Sequence, residues 1–302
     1  MTKLLFVHGI NNQGGSAKAI KSDWAQWIVA GLSKAGLPTS PPSDVRAAFY
    51  GDLLARATEV RSSNPQSGVA EMGPIDREFT SKAVASLYVE VQNIVGLSDE
   101  VVQGYNETNI APMGDGIHKS WLKAIARALE DTLPSQGKYL ARVFLPQASA
   151  YLDSTTLRRQ IDSLVREQIF QDLTTDVPVV IVSHSLGTIV SYSILRELGE
   201  KVRCPLFLTL GSPLGIEIVK QCLHPIRKRP EGVKLWVNGS DLKDFVALHP
   251  KLDADTFGSN DIENITSIQN NNDDRHSIEG YLQNTSIAQT LADTFSDKKA
   301  SI

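Results

Sequence analysis

The chain has little cysteine: Cys204 and Cys222 are the only two among 302 residues, and neither belongs to a C-x-x-C pair. A domain of this length can bury a large hydrophobic core and does not need disulfides to fold. The cysteine content therefore gives no sign of an oxidising compartment, and we expect a cytoplasmic protein.

Long apolar runs and an excess of positive charge are also absent. No stretch approaches the roughly 18 apolar residues of a membrane-spanning helix, and the first apolar run ends at Val7, too early for a signal-peptide core. The 30 basic and 34 acidic residues give a formal net charge of −4. We therefore expect no nucleic-acid partner and no transmembrane segment, which leaves peripheral contact with lipid open.

What the chain does contain is a series of short apolar runs separated by segments of helical periodicity. This pattern is typical of a parallel sheet covered on both faces. We predict an α/β fold with a mainly parallel sheet of about six strands and helices on both faces, in one domain over residues 1–302. The predicted strands cover residues 4–7, 179–182, 206–210 and 235–237, with weaker candidates at 45–50 and, near a sheet edge, 262–268.

Helical periodicity predicts helices over residues 24–32, 156–170 and 284–295. Residues 53–152 form a stretch much longer than a strand-helix-strand crossover requires. We interpret this stretch as a mostly helical insertion or cap within the domain. Its apolar faces are expected over residues 79–95 and 121–133.

Ser185 lies between an apolar strand and an apolar helix, in the segment V-V-I-V-S-H-S-L-G-T. A serine hydroxyl becomes a nucleophile when a sharp strand-to-helix turn holds it near an imidazole and backbone N–H donors. Ser183 and Gly187 are small enough for such a turn, although the usual pattern has glycine at both positions. We predict that Ser185 is the catalytic nucleophile; the alternative is an ordinary strand-to-helix turn.

His276 is the predicted base, because it follows the last predicted strand in a loop at the carboxyl end of the sheet. The alternative is a solvated loop histidine. Asp241 and Asp244 follow a buried strand and lie between Ser185 and His276, so the order Ser, Asp, His is met. We prefer Asp244 as the acid that orients the imidazole, since apolar residues follow it directly, and we keep Asp241 as the alternative.

A tetrahedral oxyanion needs two N–H donors that are already in position. Leu186, directly after the nucleophile, is predicted to supply one backbone N–H. Ile10 is predicted to supply the other, because the glycine-rich segment H-G-I-N-N-Q-G-G can curl back beside Ser185. The alternative for this segment is a flexible turn.

Taken together, the motifs V-H-G-I, S-H-S-L-G-T, G-S-P-L-G, W-V-N-G-S-D-L-K-D-F-V and H-S-I-E-G-Y-L resemble the α/β-hydrolase family, in its lipase- and esterase-like branch. The resemblance implies a covalent acyl-serine intermediate and no metal or organic cofactor. Only about twenty residues separate Gly215 from the next predicted strand. A cap over the site is therefore expected from residues 53–152.

We therefore expect a serine hydrolase that cleaves a carboxylic ester of a small molecule or lipid. A thioesterase or an amidase or peptidase would use the same residues. A non-catalytic interaction protein on this fold is an alternative of another class. In a third alternative the insertion of a hydrolase also docks a partner or a lipid surface, which an exposed apolar patch on residues 79–95 would favour.

Overall fold

The computed structural model of the protein describes residues 2–62, 82–106, 119–133, 136–223, 226–271 and 273–296. All six predicted strands are present in these ranges. They are β1 (Lys3–Val7), β2 (Asp44–Ala48), β3 (Val179–His184), β4 (Cys204–Leu210), β5 (Val233–Asp241) and β6 (Glu263–Ile268). The α/β fold predicted from the apolar runs is confirmed.

The six strands form one sheet, in which every neighbouring pair is parallel and the order is β2-β1-β3-β4-β5-β6. β6 is an edge strand, as its alternating sequence predicted. From β1 the chain moves outward to β2 and then crosses back to β3 on the other side. The loops after β1 and β3 therefore diverge at a topological switch point, where open parallel sheets place their ligand sites.

Helices cover both faces of the sheet. One face packs against α1 (Ala17–Lys34), α11 (Ile278–Leu282) and α12 (Thr285–Ser296), with Trp24, Ile28 and Leu291 among the buried contacts. The residues of the other face share a second core cluster with the remaining helices of the described ranges, some of which pack on other helices: α2 (Gly51–Ser62), α3 (Lys82–Val95), α4 (Asp99–Gly104), α5 (Lys119–Thr132), α6 (Gln136–Tyr139), α7 (Leu145–Asp153), α8 (Thr155–Val165), α9 (Leu186–Leu198) and α10 (Glu217–Cys222).

Two helices continue into π-helical turns. Residues Leu140–Phe144 join α6 to α7, and Arg166–Phe170 extends α8, so the predicted helix over 156–170 has a wider final turn. Short 3-10 turns follow α9 at Gly199–Lys201 and β4 at Pro213–Gly215. No helix in the described ranges is long and apolar enough to cross a membrane.

Within 53–152, the described residues are mostly helical, as α2 to α7 show. The predicted helix over 79–95 is α3; residues 79–81 lie outside the described ranges. Leu87, Tyr88 and Val91 of α3 are buried in the core cluster, whereas Ile94, near the end of the helix, is 38% exposed. The described part of α3 thus presents no extended apolar patch, and docking through this helix is not favoured.

Candidate active site

Ser185 occupies the sharp turn between β3 and α9, with φ of 54° and ψ of −129°. A positive φ is strained for a residue with a Cβ atom, and such strain persists only where the surrounding structure enforces it. Here the Ser185 N–H donates to Leu210 O at 3.0 Å, and the Thr188 N–H and hydroxyl donate to Ser185 O at 2.9 and 2.7 Å. The turn after β3 is therefore held on both sides of the serine.

Two glycines allow the loop after β1 to approach this turn. A Cβ atom on Gly9 would lie 2.5 Å from the Ser185 Cβ, and one on Gly187 would lie 2.3 Å from Val7 O. Ser183, where the usual pattern has glycine, is accommodated by a 2.7 Å hydrogen bond between its hydroxyl and that of Ser191. The Ser183 hydroxyl therefore has a buried hydrogen-bond partner at the position where the usual motif has glycine.

The loop after β1 is held by His8, which is fully buried. Its Nδ1–H donates to Gly9 O at 2.6 Å, and its Nε2 accepts the Tyr50 N–H at 3.1 Å, so the ring is neutral. The Tyr50 hydroxyl donates to His8 O, and the two rings stack with centroids 4.1 Å apart. His8 therefore shapes the loop.

His8 predicts a pH dependence of stability. Burial lowers the pKa of His8 from 6.5 to about 4 against the smaller opposing effect of the bond to Gly9. The unfolded chain takes up this proton near pH 6.5 and the folded chain only near pH 4, so the free energy of unfolding falls as pH drops between these values. The expected loss is about 3 kcal/mol. Urea unfolding at several pH values should show a smaller loss for His8→Gln; identical pH dependence in both proteins would contradict this assignment.

His276 and Asp244 form a buried pair above the sheet. His276 Nδ1 lies 2.7 Å from Asp244 Oδ2, and the two side chains are 9% and 1% exposed. The other Asp244 oxygen accepts the Val246 N–H at 2.9 Å. The Tyr281 hydroxyl donates to Asp244 Oδ2 at 2.7 Å, and the negative charge of Asp244 adds to burial in raising the pKa of Tyr281. The carboxylate is therefore oriented from several sides.

Asp241, the alternative acid, has different partners. Its Oδ2 accepts the Asn270 N–H at 2.7 Å and lies 3.1 Å from Arg275 Nη1, while its Oδ1 accepts the Lys243 N–H at 2.8 Å. Asp241 thus anchors the two ends of the loop that precedes His276. Of the two aspartates, Asp244 is the one in contact with the imidazole.

Two further residues place the His276 ring. The His184 Nε2–H donates to the His276 backbone oxygen at 3.0 Å, and burial holds the pKa of His184 well below its usual value, so this ring is neutral. Gly211, at the end of β4, has φ of 54°, and a Cβ there would lie 3.0 Å from both Asp244 Oδ2 and His276 Nδ1. A side chain at position 211 would therefore meet the pair directly.

The structure brings the predicted residues to one end of the sheet. Ser185 Oγ and His276 Nε2 are both buried without a hydrogen-bond partner among the described residues.

Leu186 begins α9, so its N–H has no acceptor within the helix. Ile10 directly follows Gly9 and precedes Asn11, whose N–H donates to Gln147 Oε1 of α7 at 3.1 Å. Asn11 and Ser185 are the only non-glycine residues of the described chain with positive φ, and they lie in the two loops that meet here.

Sequence reasoning did not identify Tyr281, Gly211 or Tyr139 as parts of this site. Tyr281 is in the motif H-S-I-E-G-Y-L and Gly211 begins G-S-P-L-G, so both had a signal in motifs already singled out. Tyr139 lies in the helical segment before α7, and its ring centroid is 5.9 Å from that of His276. No sequence pattern pointed to this contact.

Among the described residues, no group of three or more His, Cys, Asp or Glu side chains is placed to hold a metal ion. Comparisons of the chain with models of protein families, with curated proteins and with solved structures find no match. The chemistry of this site is therefore inferred from its own residues.

Proposed function

We propose that the protein is a serine hydrolase of the α/β-hydrolase type that cleaves a carboxylic ester through an acyl-serine intermediate. One observation carries the proposal: a serine on a strained strand-to-helix turn lies at the same sheet end as a buried His276–Asp244 pair, 2.7 Å apart. The two atoms that a proton would leave and join, Ser185 Oγ and His276 Nε2, are both buried and have no hydrogen-bond partner in the described chain, each other included. Buried polar atoms without partners are uncommon and are found at catalytic sites.

In the proposed first step, Ser185 Oγ attacks the ester carbonyl carbon while His276 Nε2 takes the hydroxyl proton. The carbonyl electron pair moves onto oxygen, and the N–H groups of Leu186 and Ile10 stabilise the resulting oxyanion. Each such donor typically contributes about 3 to 4 kcal/mol. His276 then gives its proton to the leaving alcohol oxygen as the carbon–oxygen bond breaks, which leaves the acyl group on Ser185.

In the second step, water attacks the acyl-serine, and His276 acts first as base and then as acid to restore Ser185. Asp244 has two roles in both steps. It accepts the Nδ1–H of His276, which keeps Nε2 unprotonated before attack, and its charge stabilises the imidazolium that forms. Tyr281, which is fully buried, donates its hydroxyl to the same carboxylate oxygen.

The acyl-enzyme is expected to be directly observable. Mixing the protein with p-nitrophenyl acetate should release a rapid burst of nitrophenol equal to the protein concentration, because acylation releases the alcohol before deacylation limits turnover. Mass spectrometry of the quenched protein should locate one acetyl group on Ser185.

Parallel reactions with an ester, a thioester and an anilide of one acyl group will compare leaving groups. The ester is expected to give the highest kcat/KM. Absence of a burst together with absence of hydrolysis of all three substrates would contradict the proposed function.

A further inference from the structure

A small cavity lies beside His276 on the side of the helical segment that precedes α7. Its volume is about 250 Å³. The residues that line it with His276 include Tyr139, Leu140, Phe245 and three aspartates, Asp244, Asp273 and Asp274. The cavity therefore lies between the proposed base, His276, and residues 136–140 of the insertion.

The position of the cavity indicates which part of an ester it would hold. His276 lines it, whereas Ser185 is not among its lining residues in the described chain. In the proposed mechanism the imidazole gives its proton to the leaving alcohol oxygen, so the alcohol part must lie on the histidine side of the reacting carbon. The acyl part remains on the serine.

The wall containing Tyr139 is fixed to α5. Gly137 packs so closely that a Cβ there would lie 1.8 Å from Leu129 O. Arg142 forms two hydrogen bonds with Glu130, from Nε at 2.9 Å and from Nη2 at 2.6 Å. The backbone that carries Tyr139 is thus held against α5 on both sides of this residue.

The volume of the cavity and the charge of its lining residues restrict which alcohols it can bind. A cavity of about 150 Å³ can hold a six-carbon ring, so this cavity of about 250 Å³ admits a chain of up to about ten carbons and excludes longer ones, below the range of about 300 to 1,000 Å³ for drug-sized ligands. Asp273 and Asp274 repel an anionic group. Arg275 does not offset them, because its guanidinium lies 3.1 Å from Asp241 Oδ2 and donates to Asn270 O at 2.9 Å.

We propose that this cavity binds the alcohol part of the ester, that it accepts short, non-anionic alcohols, and that Tyr139 sets their maximum length. This inference rests on the proposed hydrolase function. It assigns Tyr139 to substrate specificity and predicts that long-chain alcohol esters are poor substrates.

The test varies the alcohol while the acyl group stays constant. Because ethyl, butyl and dodecyl acetate form the same acetyl-enzyme, differences in kcat/KM among them report only the alcohol site. The wild-type kcat/KM is expected to fall about tenfold or more from ethyl to dodecyl acetate, because the dodecyl chain is too large for the cavity. Carboxymethyl acetate, which has an anionic alcohol of similar size to butyl, is expected to be a worse substrate than butyl acetate.

Variants at Tyr139 should move this preference in opposite directions. Tyr139→Ala is expected to bring the kcat/KM of dodecyl acetate to within about threefold of that of ethyl acetate, and Tyr139→Trp to steepen the decline. Tyr139→Phe keeps the ring and serves as the matched control, with wild-type preference. The acyl preference, measured with p-nitrophenyl acetate, butyrate and hexanoate, should be unchanged in all three variants.

Equal kcat/KM for ethyl and dodecyl acetate in the wild type would overturn the inference, as would a change in acyl preference alone in Tyr139→Ala. Labelling by a fluorophosphonate separates the two proposals, since it requires only an active serine. A labelled protein without alcohol discrimination refutes the alcohol site alone. A protein that is neither labelled nor active refutes the hydrolase function itself.

Discussion

Replacement of Ser185 by alanine is expected to abolish labelling by a fluorophosphonate and to lower kcat for ester hydrolysis by about six orders of magnitude. The change removes the only hydroxyl oxygen on the strained turn between β3 and α9, and with it the acyl intermediate. His276 and the backbone N–H groups of the loops stay in place. Residual hydrolysis would come from a water molecule activated by the remaining residues.

The same variant is expected to fold normally, because Ser185 Oγ has no hydrogen-bond partner in the described chain to lose. Thermal unfolding should therefore place its midpoint within a few degrees of the wild type. Ser193→Ala, in the middle of α9, is the matched control and should retain both labelling and hydrolysis. Labelling of Ser185→Ala at the wild-type rate would place the nucleophile elsewhere.

Asp244→Asn is expected to lower kcat by about four orders of magnitude. The carboxylate accepts the His276 Nδ1–H at 2.7 Å, whereas an amide can present N–H to the ring and favour the tautomer with a proton on Nε2. That tautomer cannot take the proton of Ser185. The carboxylate charge that would stabilise the imidazolium is lost as well. Steady-state kinetics with p-nitrophenyl acetate would measure the decrease.

Asp241→Asn is the matched variant, and it should affect stability more than chemistry. It weakens the ion pair with Arg275, in which the side chains are 3% and 11% exposed. Loss of one partner of a buried ion pair typically costs about 3 to 5 kcal/mol, which urea unfolding would detect. Equal and mild decreases in kcat for both variants would show that neither aspartate acts with the histidine.

The sheet could be predicted from the sequence because strands buried on both faces carry continuous apolar runs. All six predicted strands are present, and the alternating pattern of β6 correctly indicated an edge. Ser154 caps α8, because its hydroxyl accepts the Leu157 N–H at 3.2 Å. These features depend on local periodicity and local hydrogen bonding, which residues close together in the sequence determine.

The choice between Asp241 and Asp244 could be argued from sequence only weakly. Both follow β5 within one short turn, and that turn directs one carboxylate to Arg275 and the other to His276. The direction of each side chain depends on how the turn packs against the loop after β6. The sequence order of Ser, Asp and His is the same for either aspartate.

Periodicity, the small residues around Ser185 and the order of the motifs were sufficient to predict the fold class and to nominate the residues of one site. The partners of those residues follow from contacts between segments far apart in the chain, such as the Asn11 N–H with Gln147 and the Tyr139 ring with His276. Distances across the fold depend on how helices pack on the sheet, and no local pattern encodes them. The shape of the cavity beside His276 is therefore a property of the tertiary structure alone.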